Sequence, residues 1–333
     1  MTYDYLYSNI LLLEERGVGL YNYKDTIDSI FNYVIIKLKH LYGVYLMHPN
    51  TVETFEVPKD LTSKFVFIKN LKIVIDTTIV DKLMYGERGN LDTEYTKLIN
   101  DVLNTATINI HAQIKRDTGQ IYEHVFYNTL YHELNHLYQL YCVMSKYNIE
   151  SEEDSQPSKV EVIKNIESKD LMSEIFTRDK NDIRAIYFSH LFYYIFDKFE
   201  FNAKIAGLYG ELKGYYKEYN TLDDALPNTD AYSTYKILYD NIDKMINSLN
   251  AFEFESMMNL FKSRGVKKVW NTKQSFLRRM KYWLEQFMKK IGKVASLYYD
   301  ELTDISEVDE SRLLDMYCGN DSLLEIAEKL RDY

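Results

Sequence analysis

No glycine or proline interrupts the chain between Gln120 and Ser145. A run of that length without a helix breaker predicts a helix of about seven turns. Within it stands His132-Glu133-Leu134-Asn135-His136. Residues four apart lie on one helix face with Cβ atoms about 5–6 Å apart, so both imidazoles can hold one Zn²⁺ at about 2.0–2.1 Å. Glu133 projects about 100° round the helix from His132. That places it beside an ion rather than on it, where it can take a proton from a water whose pKa zinc lowers to about 7. In a 333-residue chain with 7 histidines the pattern is expected roughly 0.01 times by chance, so metal binding is the reading adopted.

A reactive zinc needs a third protein ligand and one open position. If that ligand followed the second histidine closely it would fall at Cys142, with Gln139 at the place of a helix-ending glycine. Without that glycine the helix continues, and Cys142 faces away from His136; its other reading is a small buried apolar residue. Candidates from a later helix are Glu174, Asp182, Asp197 and Glu200, with His190 as a further rival. Glu200 is preferred. Ala203 and Gly207 share its helix face and permit close approach to the histidine helix, and its apolar surroundings, YYIFDKFEFNAKIAGLYG, make a lone charge costly.

The remaining organisation is read from periodicity. Ile27, Ile30, Phe31, Val34, Ile35, Leu38 and Leu41 form one apolar stripe of a helix from Asp25 to a stop at Gly43. Phe65 to Ile68 and Leu71 to Ile75 read as two strands with a turn at Asn70. From Thr105 to Ile114, Ile108, Ile110, Ala112 and Ile114 alternate with polar residues, a strand with one buried face. A second long helix is expected over residues 182–219, and NTLDDALPNTD (220–230) is the best internal boundary, so residues 1–220 and 221–333 are taken as two domains, the second helical. Residues 262–293 carry eleven Lys or Arg against one acid, in a chain of net charge −10. Trp270, Phe276, Trp283 and Phe287 interleave with those bases; the favoured reading is an amphipathic helix with its aromatics in the core, and nucleic-acid binding is the alternative.

Two cysteines exclude a disulfide scaffold and a cysteine-rich zinc fold. With no apolar run of about 18 residues and no basic leader, the expected setting is the cytoplasm, with no membrane partner.

HELNHLYQLY, with TINIHAQIK shortly before it and EFNAKIAGL after it, resembles a gluzincin-type zinc metallopeptidase, and the order is similar to that of metallopeptidases encoded by tailed bacteriophages of gut Bacteroidota. The resemblance spans about residues 25–215. It implies a zincin-like α+β fold, predominantly helical, with a small mixed sheet, the HExxH active-site helix and a helical C-terminal lobe. It makes His132, His136 and Glu200 zinc ligands and Glu133 the general base of peptide-bond hydrolysis. A phage origin would place the protein in the host-cell cytoplasm or the virion. The resemblance also gives the strand Thr107–Ile114 a role, since an edge strand beside the cleft pairs with an extended peptide substrate. An ordinary interior strand is the other reading of that segment. The alternative functions are a non-enzymatic virion or scaffold protein with a vestigial or structural metal, and a nucleic-acid-binding protein acting through residues 262–293.

Overall fold

The computed structural model describes residues 20–47, 52–82, 89–92, 96–147, 198–215, 219, 221–263 and 270–303. These form a mixed α+β structure, mostly helical, with one five-stranded mixed sheet. The elements in chain order are α1 (Lys24–Met47), β1 (Val52–Glu56), α2 (Lys59–Thr62), β2 (Ile68–Val80), β3 (Gly89–Asp92), β4 (Leu98–Ile99), β5 (Val102–Lys115), α3 (Glu123–Tyr147), α4 (Lys198–Tyr215), α5 (Leu222–Ala225), α6 (Asp230–Ser248), α7 (Ala251–Ser263) and α8 (Lys273–Thr303). No helix among the described residues is long and apolar enough to cross a membrane.

The chain divides into two compact units, one formed by residues 20–160 with 202–225, the other by the remaining segments, including everything from residue 226 on. The division at Ala225 and Leu226 falls inside NTLDDALPNTD. The unit ahead of it is not one continuous block of chain, because Lys198–Phe201 group with the later helices: Phe201 packs its ring on Tyr235 and Phe287 at centroid distances of 5.7 and 4.7 Å.

In the sheet unit the strand order is β1-β2-β5-β3, with β4 also on β5. β2 and β5 run parallel while β1, β3 and β4 pair antiparallel to their neighbours. The alternation seen in the sequence sets the faces: Ile108, Ile110, Ala112 and Ile114 of β5 and Leu71, Ile73 and Ile75 of β2 are buried. Phe126, Leu130, Leu134 and Leu137 of α3 are likewise buried, and α3 lies against β5. The β4–β5 hairpin turns on Asn100 and Asp101, both with positive φ (51° and 60°), the two-residue geometry whose twist suits antiparallel strands and which Asn and Asp tolerate. Between β5 and α3 the chain reverses over Gly119, at φ 64°, and Ile121 bridges back to Ile114. So short a return lays α3 directly back over the strand that precedes it.

Three expectations are corrected. β2 is one continuous strand through Asn70, which makes no turn; its side-chain amide donates to Asn104 O at 2.9 Å, tying β2 to β5 sideways. α1 runs through Gly43 to Met47, because a glycine with an ordinary helical neighbour on each side costs only about 1 kcal/mol and does not end a helix by itself. β5 is not an edge strand over Thr107–Ile110, where it pairs with β2 on one side and with β3 on the other. Of the helix expected over 182–219, Lys198–Tyr215 is described, and the remainder up to residue 197 lies outside the described residues.

The later unit is built on α6, α7 and α8. Thr229 Oγ1 caps α6 by accepting from Tyr232 N at 3.3 Å, and Asn250 and Glu253 cap α7 reciprocally, each side chain bonding the other's backbone N–H. Ala231, Tyr235, Leu238, Ile242 and Ile246 of α6 are buried, as are Phe276, Met280, Trp283, Phe287 and Ile291 of α8, and the two helices pack together. The aromatics of the basic segment thus serve a core, with Trp270 half-buried against Phe276 and Trp283.

α1, α3 and α4 meet at a partly buried ion pair. Lys213 bonds Asp28, and Tyr131 donates to Asp28 Oδ1 at 3.2 Å. Burial pushes the Asp28 carboxyl above the ordinary carboxylate range, outweighing the hydrogen bonds from Lys213 and Tyr131 that pull it down. A raised folded value means that its contribution to stability is fully present below the unfolded carboxylate value, about 3.9, and is lost as pH rises through the folded value. Asp28→Asn, neutral throughout, should therefore gain stability relative to the natural chain as pH climbs through that window. Melting temperatures of both proteins across the acid range check this, and a relative gain that shrinks with rising pH would show the ion pair outweighing burial.

Candidate metal centre

α3 presents His132 and His136 on one face, with Nε2 atoms 3.1 Å apart. Two donors about 2.05 Å from a tetrahedral ion stand roughly 3.3 Å apart, so this spacing fits one zinc with little rearrangement. Gln139, one turn beyond His136, meets its Nδ1 through Oε1 at 3.1 Å. In the tautomer in which Nδ1 donates to this amide oxygen, Nε2 of His136 offers its lone pair. The partner that fixes a ligand histidine's tautomer is thus present on the same helix.

Glu200 completes the set. Its carboxylate and the two imidazoles bring three donor atoms within 4.8 Å of one another, the one group of three or more His, Cys, Asp or Glu so placed among the described residues. The environments differ: the imidazoles are half-buried, whereas Glu200 is 3% exposed. Burying an ionised carboxylate costs several kcal/mol unless cationic or hydrogen-bonding groups compensate, and a divalent cation is the strongest such group. The donor chemistry, two imidazole nitrogens and one carboxylate, fits zinc with a fourth position left open.

Glu200 reaches this level because α4 approaches α3 closely. Gly214 faces His124, Gly210 faces Tyr127 and Gly207 faces Asn128, so the helices run antiparallel. A Cβ at position 210 would stand 2.6 Å from Tyr127 Cδ1 and 2.9 Å from its carbonyl carbon; at 214 it would stand 2.5 Å from His124 Cβ. Backbone cannot yield as a flexible side chain does, so these contacts require glycine. Ala203 is fully buried on the same face. The small-residue face read from Ala203 and Gly207 extends, at spacings of three and four, to Gly210 and Gly214, a continuation equally visible in the sequence. The Lys213–Asp28 pair then ties the far end of α4 to α1.

Glu133, 5% exposed, lies on the sheet side of α3 next to β3. A Cβ at Gly89 would stand 3.4 Å from Glu133 Cγ and 2.6 Å from Thr129 Cγ2. β3 thus comes against the helix at the level of Glu133, and among the described residues no strand pairs with its outer edge. No local pattern marks Gly89, whose importance arises from a long-range approach. Among the weaker candidates, Cys142 is half-buried, reduced and not part of the cluster. Glu174, Asp182, His190 and Asp197 lie outside the described residues.

Compared with protein-family models, curated proteins and solved structures, the chain matches none.

Two substitutions test the assembly. Glu200→Ala should cut zinc affinity severely in a chelator-competition titration, while Cys142→Ala should leave it unchanged. Gly210→Ala should weaken zinc binding from a distance by forcing α4 off α3, with a stability loss of about 1–3 kcal/mol from overpacking, read by denaturant unfolding. Undiminished zinc binding in Glu200→Ala would remove this residue from the ligand set.

Proposed function

We propose that the protein is a zinc-dependent metallopeptidase with a zincin-like fold, in which His132, His136 and Glu200 hold the metal and Glu133 is the general base. The observation that carries this reading is the convergence of Glu200, from a separate helix, on the histidine pair of an HExxH sequence, giving three donor atoms within 4.8 Å. A purely structural site has no use for an acid on the flank of the ligand helix, and Glu133 stands there. When bound, zinc would supply Lewis acidity, polarising the scissile carbonyl and lowering the pKa of the attacking water.

The chain's own groups account for the rest. Glu133 takes a proton from the attacking water as its oxygen bonds to the carbonyl carbon. The same carboxyl then delivers that proton to the leaving amine nitrogen as the C–N bond breaks, so no covalent bond to the protein forms. Gln139 holds His136 in the tautomer that keeps Nε2 available. The half-exposed imidazoles leave a way in for substrate. An extended peptide is placed on the outer edge of β3, because β3 offers unpaired main-chain groups among the described residues and passes next to Glu133. The nucleic-acid alternative finds less support: Phe276, Trp283 and Phe287, which would stack on bases, are buried.

Glu133→Gln keeps the side-chain volume and both imidazoles. Zinc should stay near one equivalent while cleavage of a peptide library falls by about 10²–10⁴, the usual weight of a general base. Full activity in that variant would refute the mechanism. Zinc bound by the natural chain without cleavage of any library peptide would favour a structural metal.

A further inference from the structure

β3 carries an alternation of its own. Gly89 and Leu91 are half-buried, whereas Asn90 and Asp92 are exposed. The register explains the pattern. Gly89 and Leu91 stand opposite Ile110 and Ile108 of β5, both buried on the face against which α3 lies. Asn90 stands opposite Asn109, whose side-chain amide donates to Asn90 Oδ1 at 2.7 Å. Directly opposite residues of paired strands share a face of the sheet, so Gly89 and Leu91 belong to the helix side and Asn90 and Asp92 to the other. Gly89 marks the level of the general base, since a Cβ there would stand 3.4 Å from Glu133 Cγ. Leu91 is the first side chain that β3 offers on the helix side beyond that level, two residues and about 6.7 Å along the strand.

We propose that Leu91 is a specificity-determining residue, selecting an apolar side chain in the peptide two residues from the one that passes Gly89. The inference deepens the peptidase reading above and rests on it. A peptide paired along the outer edge of β3 alternates its side chains in phase with those of β3. Beside Gly89 it meets no strand side chain, so that position is left to the cleft. The next residue points to the face of Asn90 and Asp92, where exposed polar groups exchange water for a side chain at little gain. The residue after it lies beside Leu91, with Cβ atoms about 4.5–5.5 Å apart. There an apolar side chain covers the half-exposed leucine and leaves water with it, whereas a charged one loses hydration against it. Selection therefore falls on one position, separated from the level of Glu133 by an unselective one.

The test uses the full chain loaded with Zn²⁺ and a library of short synthetic peptides randomised at every position, with cleavage sites read by mass spectrometry. At one position within about three residues of the cleaved bond, the natural chain should favour Leu, Ile, Met or Phe over Asp, Glu or Gly by about 5-fold. Leu91→Ala should flatten the preference at that position and leave the other positions as they were. Leu91→Lys should turn it toward Asp and Glu, because opposite charges then face each other across the pair. An exchange of preference separates selection from a merely structural role, which would slow the cleavage of all peptides alike. Leu91→Thr, a polar residue that suits a strand, is carried in parallel in case lysine disturbs the edge; it too should flatten the position. Zinc content and melting temperature, measured for each variant, identify any that has not folded. Cleavage without an apolar preference at any position would overturn the inference and leave the peptidase reading standing, as would a preference that is the same in the natural chain and all folded variants. Zinc bound by the natural chain with no peptide cleaved would refute the peptidase reading, and this inference with it.

Discussion

The close approach of α3 and α4 is the constraint on which the candidate site depends. A helix carrying only the two histidines offers one edge of a coordination tetrahedron, and no residue further along that helix can reach round to the opposite side. Gly207, Gly210 and Gly214 bring a second helix near enough that its backbone touches side chains and main chain of the first. Glycine lowers helix propensity by up to about 1 kcal/mol per residue relative to alanine. A helix with three glycines at spacings of three and four accepts that cost because its partner needs the room. Glu200 rides on the same helix, so its height beside His132 and His136 is set by packing two and three turns away.

Electrostatics complements that geometry. The carboxylate is the buried member of the cluster and the imidazoles are the half-exposed members. Neutral imidazoles tolerate either environment, whereas an ionised carboxylate in the interior requires compensation. A cation held by this group would have the buried carboxylate on one side and the half-exposed imidazoles on the other. Gln139, which meets His136 Nδ1, is an uncharged amide and can orient that imidazole without adding charge beside it.

How legible these features are in the sequence depends on the range of each interaction. The shared face of the histidine pair, the flanking position of Glu133 and the buried face of β5 follow from periodicity within one element, and the structure has them so. Glu200 is legible because Ala203 and Gly207 mark a helix face by local spacing. Asn70 reads as a turn residue because its partner, the carbonyl of Asn104, lies 34 positions away. That β5 is flanked on both sides over Thr107–Ile110 cannot be told by alternation, since alternation records which face is buried and says nothing of which edges are paired. β3, which takes the outer position, is four residues long and contains a glycine, below the threshold at which strand patterns are recognised.

Asn135 escapes sequence reasoning for a related reason. A single asparagine between Leu134 and His136 in a helix reads as an exposed position, and periodicity cannot distinguish a polar side chain facing water from one in the interior. Only the packed structure makes the distinction. Asn128 and Asn135 stand seven apart on α3. At the first position the amide packs against Gly207 of α4, and at the second Nδ2 is buried without a hydrogen-bond partner. The same residue type thus meets different surroundings at the two positions, a physical difference that no reading of α3 alone could supply.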